Sequence, residues 1–360
     1  MGDQGAPSAR DGRKEETGEL MLITTDADAH KVVHAVEAAR HVVFDLETTG
    51  LSPFHGARIA GVGVQLETGA RHYLPYRHET GNLQIDTLEP LLRAVWTRGK
   101  TVRGHNVARF DLQHMVHENE RAFGHLLKPG HGIVIEDTMV MALLHNENAE
   151  SFKLEALAEL NEIPDPWSAS KALDAALKAR KLKKDSMWRI PPVEVAPYCC
   201  ADLRLTDALG DRLGPLLAFD GLGELIAPMG DYARLLARME RRGLCMNPDA
   251  LRHHRDVVQG MAVTMLAEIR QAAGNPKLNP RSPKQLSAWL GLKSTAKREL
   301  KMSGSPHAKL LTRYRCAEKA NGTYYTPILE SLDAQGTLRP QLNLTRDLSD
   351  VGGTRSGRLS

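Results

Sequence analysis

Asp45 and Glu47, in HVVFDLETTGL, are two carboxylates two residues apart near the end of an apolar, β-branched run closed by a Gly-containing turn. That pattern reads as a buried strand. Strand side chains repeat every second residue, so both acids point to one face. Two unscreened carboxylates at that spacing raise each other's pKa, and the pair is best tolerated when a cation neutralises it. All-oxygen ligands favour Mg²⁺ or Mn²⁺. Tyr198 and Asp202, in YCCAD, are four residues apart, the spacing that stacks two side chains on one face of a helix. A phenol and a carboxylate would then share a pocket. Pro197 and the run LRLTDALGDRL predict a helix that begins near Tyr198. Asp111, in GHNVARFDL, heads the helical pattern DLQHMVHE, and a helix N-terminus favours an anion there.

The elements that must hold these groups read as a mixed sheet covered by helices, an α/β arrangement. VVFDLETTG, ARIAGVGVQL and ARHYLPY have the pattern of three successive strands; helical and short-strand patterns follow through KTVRGHN to SFKLEALAELN. Gly61 and Gly63 sit inside a strand rather than in a dinucleotide loop, and no Walker sequence occurs, which argues against an ATP-driven motor. His114 and His117 could share a helix face, but without an H-E-x-x-H pattern they read as surface residues. Lys171, Lys178, Arg180, Lys181, Lys183, Lys184 and Arg189 crowd one stretch, which reads more simply as a solvated helical face than as a phosphate-binding surface. The net charge of +3 does not by itself demand nucleic acid. Four cysteines without a C-x-x-C pair suggest neither a disulfide framework nor a zinc site, and a reducing compartment is the natural reading. No apolar run approaches a membrane span, the first residues lack the apolar core of a secretory signal, and this tail has the composition of a disordered segment.

With ETTGL, GHN and Y-x-x-x-D present in this order, the chain resembles the DEDDy 3′-to-5′ exonucleases, proofreading domains of the ribonuclease-H-like superfamily. Asp45 and Glu47 match the first motif, Asp111 the second, Tyr198 and Asp202 the third. The resemblance implies that these five are catalytic and that Asp45, Glu47, Asp111 and Asp202 serve two divalent metal ions, Mg²⁺ or Mn²⁺. Asp45, Glu47 and Asp202 would hold the first ion, Asp45 would bridge to the second, and Asp111 would assist through water. Tyr198 would orient the attacking water; its bland alternative is a half-buried aromatic with its hydroxyl on a neighbour. Thr48, Leu51, Asn106 and Phe110 would contact the substrate. One departure stands out: Asn106 and Asp111 are one residue further apart than the family pattern. The residue types suit two-metal hydrolysis independently, since ions about 4 Å apart can activate a water and stabilise the departing 3′ oxygen.

After about residue 218 the acidic motifs stop and long helical periodicity begins, with Gly243 and NPD marking a break between two helices. This region resembles the thumb of family A DNA polymerases: ME-x-x-G at Met239 to Gly243, N-x-x-SPKQL at Asn279 with Ser282 to Leu286, and T-x-x-GRLS at Thr354 with Gly357 to Ser360. The resemblance implies DNA contacts by Ser282, Lys284, Arg355 and Arg358. The resulting expectation is a disordered tail over 1–20, a ribonuclease-H-like exonuclease domain over 21–218, a mainly helical thumb-like domain over 219–340 and the start of a truncated palm over 341–360. Its function would be the proofreading 3′-to-5′ exonuclease portion of a phage-type polymerase, cytoplasmic in a bacterial or phage-infected cell. It would act on single-stranded DNA 3′ ends and bind primer-template, with a palm-and-fingers polypeptide as a further partner and no membrane. Two alternatives remain at this point: a DNA- and partner-binding half of a split polymerase, and an independent DEDDy ribonuclease.

Overall fold

The computed structural model describes residues 20–128 and 130–345, so residues 1–19 of the expected tail lie outside them and Leu20 opens a strand. Six strands form one mixed sheet among the described residues: β1 (Leu20–Leu22), β2 (His41–Thr48), β3 (Ile59–Leu66), β4 (Arg71–Pro75), β5 (Thr101–Gly104) and β6 (Val134–Asp137), in the order β1-β4-β3-β2-β5-β6. The three longer runs make the antiparallel centre, β2 with β3 and β3 with β4. β1, β5 and β6 add in parallel. β1 and β6, short as they are, had too little alternation to be read from sequence.

Alternation along β2 explains the two faces. Val42, Phe44 and Leu46 enter a core with α1 (Asp26–Ala38), α2 (Leu88–Val95) and α3 (Phe110–Glu118), while Asp45 and Glu47 point to the opposite face. Behind α3 come α4 (Glu120–Phe123), α5 (Thr138–His145), α6 (Leu154–Leu160) and α7 (Ser168–Ala179). The opposite face is crossed by α8 (Pro192–Phe219), which packs against β1 through β5. This helix starts six residues before Tyr198, not beside it. Pro192 occupies its first turn, and Pro197 lies inside, where its missing N–H leaves only the carbonyl of exposed Val193 without a helical donor.

Contacts divide the chain into two compact units, 1–241 with 341–360 and 242–340. The helix α9 (Ile226–Arg242) counts largely with the first, because Ala233, Leu236 and Ala237 are fully buried in the core that holds α3. In the second unit, α10 (Pro248–Ala272), α11 (Pro283–Leu290), α12 (Lys297–Met302) and α13 (Pro306–Lys319) enclose Met265, Ile269, Leu286, Leu300 and Leu311. A fifth helix, α14 (Thr326–Glu330), and a small ladder of β7 (Leu244–Cys245) with β8 (Thr337–Leu338) complete it.

Candidate active site

The glycines of β3 decide how closely α8 meets the acid-bearing strand. Gly63 pairs with Asp45, and a Cβ on it would lie 2.4 Å from Cys199 Sγ; Gly61 pairs with Glu47, and a Cβ there would lie 2.1 Å from the Tyr73 hydroxyl. Any side chain would push the helix or the tyrosine away. With both positions bare, Cys199 Sγ reaches Asp45 Oδ2 at 3.8 Å and donates to it. One turn along, the Tyr198 phenol and the Asp202 carboxylate are close enough to perturb each other. Asp111 arrives from α3: its Oδ1 accepts the Leu46 N–H at 2.9 Å, which ties the helix start to β2 between the two strand acids. Asp45, Asp111, Tyr198 and Asp202 line a cavity of about 760 Å³. Glu47 lines an adjoining one of about 460 Å³ that shares Asp45, Tyr198 and Asp202.

This much carboxylate in one buried place is costly to ionise. Burial raises Asp45 to about 6, with the Cys199 thiol and the Lys184 ammonium pulling against it. Burial first, then the neighbouring carboxylates, lifts Glu47, Asp111 and Asp202 well above the usual range. Glu47 is 5% exposed, and its Oε1 has no hydrogen-bond partner. An unsatisfied buried carboxylate oxygen facing other acids is what a divalent cation would neutralise, so the residues fit such an ion. Asp45, Glu47 and Cys199 can bring one ligand atom each within 4.8 Å of one another. Burial and the surrounding acids raise the Cys199 thiol, so it stays protonated and donates to Asp45. For a hard cation the oxygens are the ligands.

Thr48 turns its hydroxyl to the Gly50 carbonyl at 2.8 Å, at the rim of the smaller cavity. Leu51, 75% exposed, and Phe110 line both cavities as an apolar edge. Asn106 has a left-handed φ of 59° and lines the larger one. Its N–H donates to Asp137 Oδ1 at 2.9 Å, while Asp137 Oδ2 takes the Ala108 N–H at 3.1 Å. Asp137 also caps α5 through the Met139 N–H. This buried acid, which the motif reading passed over, holds the Asn106 bend that delivers Asp111. Its signal was legible: an Asp directly before the helical run TMVMALLH.

Two expectations are corrected. His114 is buried, only 2% exposed, because α3 rotates it inward against Phe110, whose carbonyl meets its Nδ1 at 3.1 Å; His117 is exposed. The basic stretch is not wholly a solvated face. Lys171, Lys178 and Lys181 are exposed and Arg180 and Arg189 pair with Glu194 and Glu79, but Lys184 stands 4.5 Å over the Tyr198 ring. It lines both cavities, and no spacing rule could have separated it from its neighbours. In the second unit, Ser282 caps α11 by accepting the Gln285 N–H at 3.4 Å, and Gln285 Oε1 accepts the Asn279 N–H at 2.8 Å. The polar residues of N-x-x-SPKQL thus close on one another, leaving Lys284 exposed. Arg355 and Arg358 lie outside the described residues.

A family model described as a 3′-5′ exonuclease, drawn from family A DNA polymerases, matches residues 20–218. Curated relatives include the DNA polymerase DpoZ of Acinetobacter phage SH-Ab 15497, 25% identical over 90% of this chain and 55% of the relative. A DNA-directed DNA polymerase of Pseudomonas phage M6 is 26% identical over 90% of this chain and 52% of its own. The chain thus spans about half the length of the curated relatives it matches. The solved POL domain of Pol1 from M. smegmatis, in complex with DNA primer-template and dNTP, superposes with a TM-score of 0.64 at 19% identity, covering 94% of this chain and 54% of that one. That likeness extends the shared fold through the helical unit.

Proposed function

From a chain that belongs to the 3′-5′ exonuclease family of family A DNA polymerases, we propose that the clustered acids hydrolyse the last phosphodiester at the 3′ end of a DNA strand, as the proofreading part of a phage-type polymerase. The observation that carries this is the meeting, in one cavity, of Asp45 from β2, Asp111 from α3 and Tyr198 with Asp202 from α8. Three elements far apart in sequence converge there. Asp45, Glu47 and Asp202 would hold one divalent ion, with Asp45 and Asp111 serving a second. Bound cations would supply Lewis-acid stabilisation of the charge that develops on the phosphate.

The chain's own groups do the rest. Tyr198, held by the packing of its ring and by Lys184 above it, presents a hydroxyl oxygen that orients the attacking water. As the water oxygen bonds to phosphorus the bond to the 3′ oxygen breaks; that oxygen takes up a proton, and a nucleoside 5′-monophosphate leaves. Lys184 and Lys153 put positive charge on the cavity wall where a phosphate must sit. Leu51 and Phe110 offer an apolar edge to the terminal base. The test is end-labelled single-stranded DNA incubated with the chain in Mg²⁺ or Mn²⁺, beside an RNA of the same sequence. A 5′ label should give a ladder of shortened strands and a 3′ label an immediate mononucleotide, both stopped by chelation. Release from the 5′ end, or digestion confined to RNA, would overturn the reading.

A further inference from the structure

Part of the cavity wall comes from a segment that the family match does not reach. Residues 341–345 run QLNLT, and Gln341, Asn343 and Thr345 line the cavity that holds Asp45 and Asp202. Leu342 packs against the main core and Leu344 is buried in it, so the segment has an anchored apolar side and a polar side at the cavity. The anchor is specific: the Leu342 N–H donates to Glu240 Oε1 at 2.6 Å, and the same Glu240 pairs with Arg109, two residues before Asp111. Thr345 spends its hydroxyl on Met139 Sδ at 3.8 Å, which leaves the two amides to face the cavity.

Resting on the exonuclease reading, we infer that Gln341 and Asn343 form a strand-binding subsite that holds the bases or sugars of the single-stranded end. Carboxamides carry donors and an acceptor but no charge, which suits base edges and sugar oxygens better than phosphate. Phosphate finds its cations elsewhere in the same cavity, at Lys153 and Lys184. The subsite therefore recognises the strand upstream of the scissile bond and leaves the chemistry to the acids.

The decisive experiment uses the full chain and its Gln341→Ala/Asn343→Ala variant on two substrates. One is a short single-stranded DNA oligonucleotide; the other is the p-nitrophenyl ester of thymidine 5′-monophosphate, which has no upstream strand. Two lost hydrogen bonds should raise KM for the oligonucleotide by about tenfold or more, and that loss should exceed the loss on the ester by about the same factor. Binding of the labelled oligonucleotide with Ca²⁺ in place of Mg²⁺, read by anisotropy, should weaken in parallel. Equal losses on both substrates, or undiminished binding, overturn the subsite. If the parent chain releases no nucleotide yet its oligonucleotide binding depends on these amides, the exonuclease reading fails and the subsite stands. Asn343→Asp, equal in size, covers the case in which the double variant does not fold: an added anion should weaken the oligonucleotide more than the ester.

Discussion

Asp45 and Glu47 are adjacent on one strand face, and replacing both by Ala removes the shared clamp for a cation. Release of nucleotides should fall by at least about a thousandfold, as for the loss of a main electrostatic stabiliser; a double variant that still digests DNA would sink the site assignment. Tyr198→Phe keeps the ring under Lys184 and deletes only the hydroxyl, so the loss should be about ten- to a thousandfold, less than for Asp202→Ala. Calorimetry should show Mn²⁺ binding surviving in Tyr198→Phe and weakening in Asp202→Ala; the opposite result would exchange the two roles. The raised carboxyl of Asp45 sets a pH signature. An unfolded Asp releases its proton near about 3.9, whereas the folded chain holds it to about 6. Between those values the folded state binds more protons, so the metal-free chain loses stability as pH rises through the window and keeps the full penalty above it. The metal-free Tm should therefore drop from pH 5 to pH 7 relative to Asp45→Asn, and Mn²⁺, which replaces the proton, should raise Tm more at pH 7 than at pH 5. A Tm gain from Mn²⁺ that is larger at pH 5 would refute this.

At the scale of elements, the site depends on how closely α8 lies on β3. Adding one methyl group as Gly63→Ala forces Cys199 Sγ, 2.4 Å from the new Cβ, and with it the helix that carries Tyr198 and Asp202. The expected cost is about 1–3 kcal/mol of stability, typical of overpacking, together with a loss of exonuclease rate. Cys199→Ala deletes the clashing sulfur, so the double variant should recover part of both; Leu203, 3.2 Å away, keeps the recovery incomplete. Additive losses in a double-mutant cycle would show that the contact is not what sets the helix position. The strand pattern of ARIAGVGVQL was legible in the sequence, but the work of its glycines was not. Small residues in a strand say only that something comes close, and the Tyr73 ring and Cys199 are brought there by other parts of the chain. The start of α8 was misplaced for a related reason: Pro197 looks like a helix opener, and only the packing of residues 192–196 reveals the turn before it.

For the whole molecule, hydrolysis and synthesis need separate sets of metal-holding acids. Among the described residues one group, Asp45 with Glu47 and Cys199, can gather three ligand atoms. The chain offers those acids for the hydrolysis proposed above. It should bind primer-template DNA, with an affinity that falls steeply as salt rises because phosphate contacts release counterions. Lys284, exposed on the capped start of α11, should contribute one such contact. Lys284→Ala should weaken binding similarly across sequences and flatten the slope of log affinity against log salt by about one; a sequence-dependent loss would argue for base contact instead.

Sequence alone determined which residues could carry the chemistry. The i, i+2 acids on a strand, the i, i+4 Tyr198 and Asp202 on a helix and the acid at a helix start follow from local periodicity, which needs no knowledge of the rest of the chain. Tertiary structure decided what shares their cavity. Lys184 is one of seven basic residues in its stretch, and only the turn at 184–189 sets it over Tyr198. His114 is turned inward by the packing of α3, and Asp137 reaches the Asn106 bend because β5 and β6 pair in register. Gln341 and Asn343 stand more than a hundred residues after Asp202, and nothing in QLNLT itself points to a nuclease cavity. They arrive there because Leu342 and Leu344 find a core and Glu240 finds a backbone N–H, contacts that exist only once distant parts of the chain have folded together.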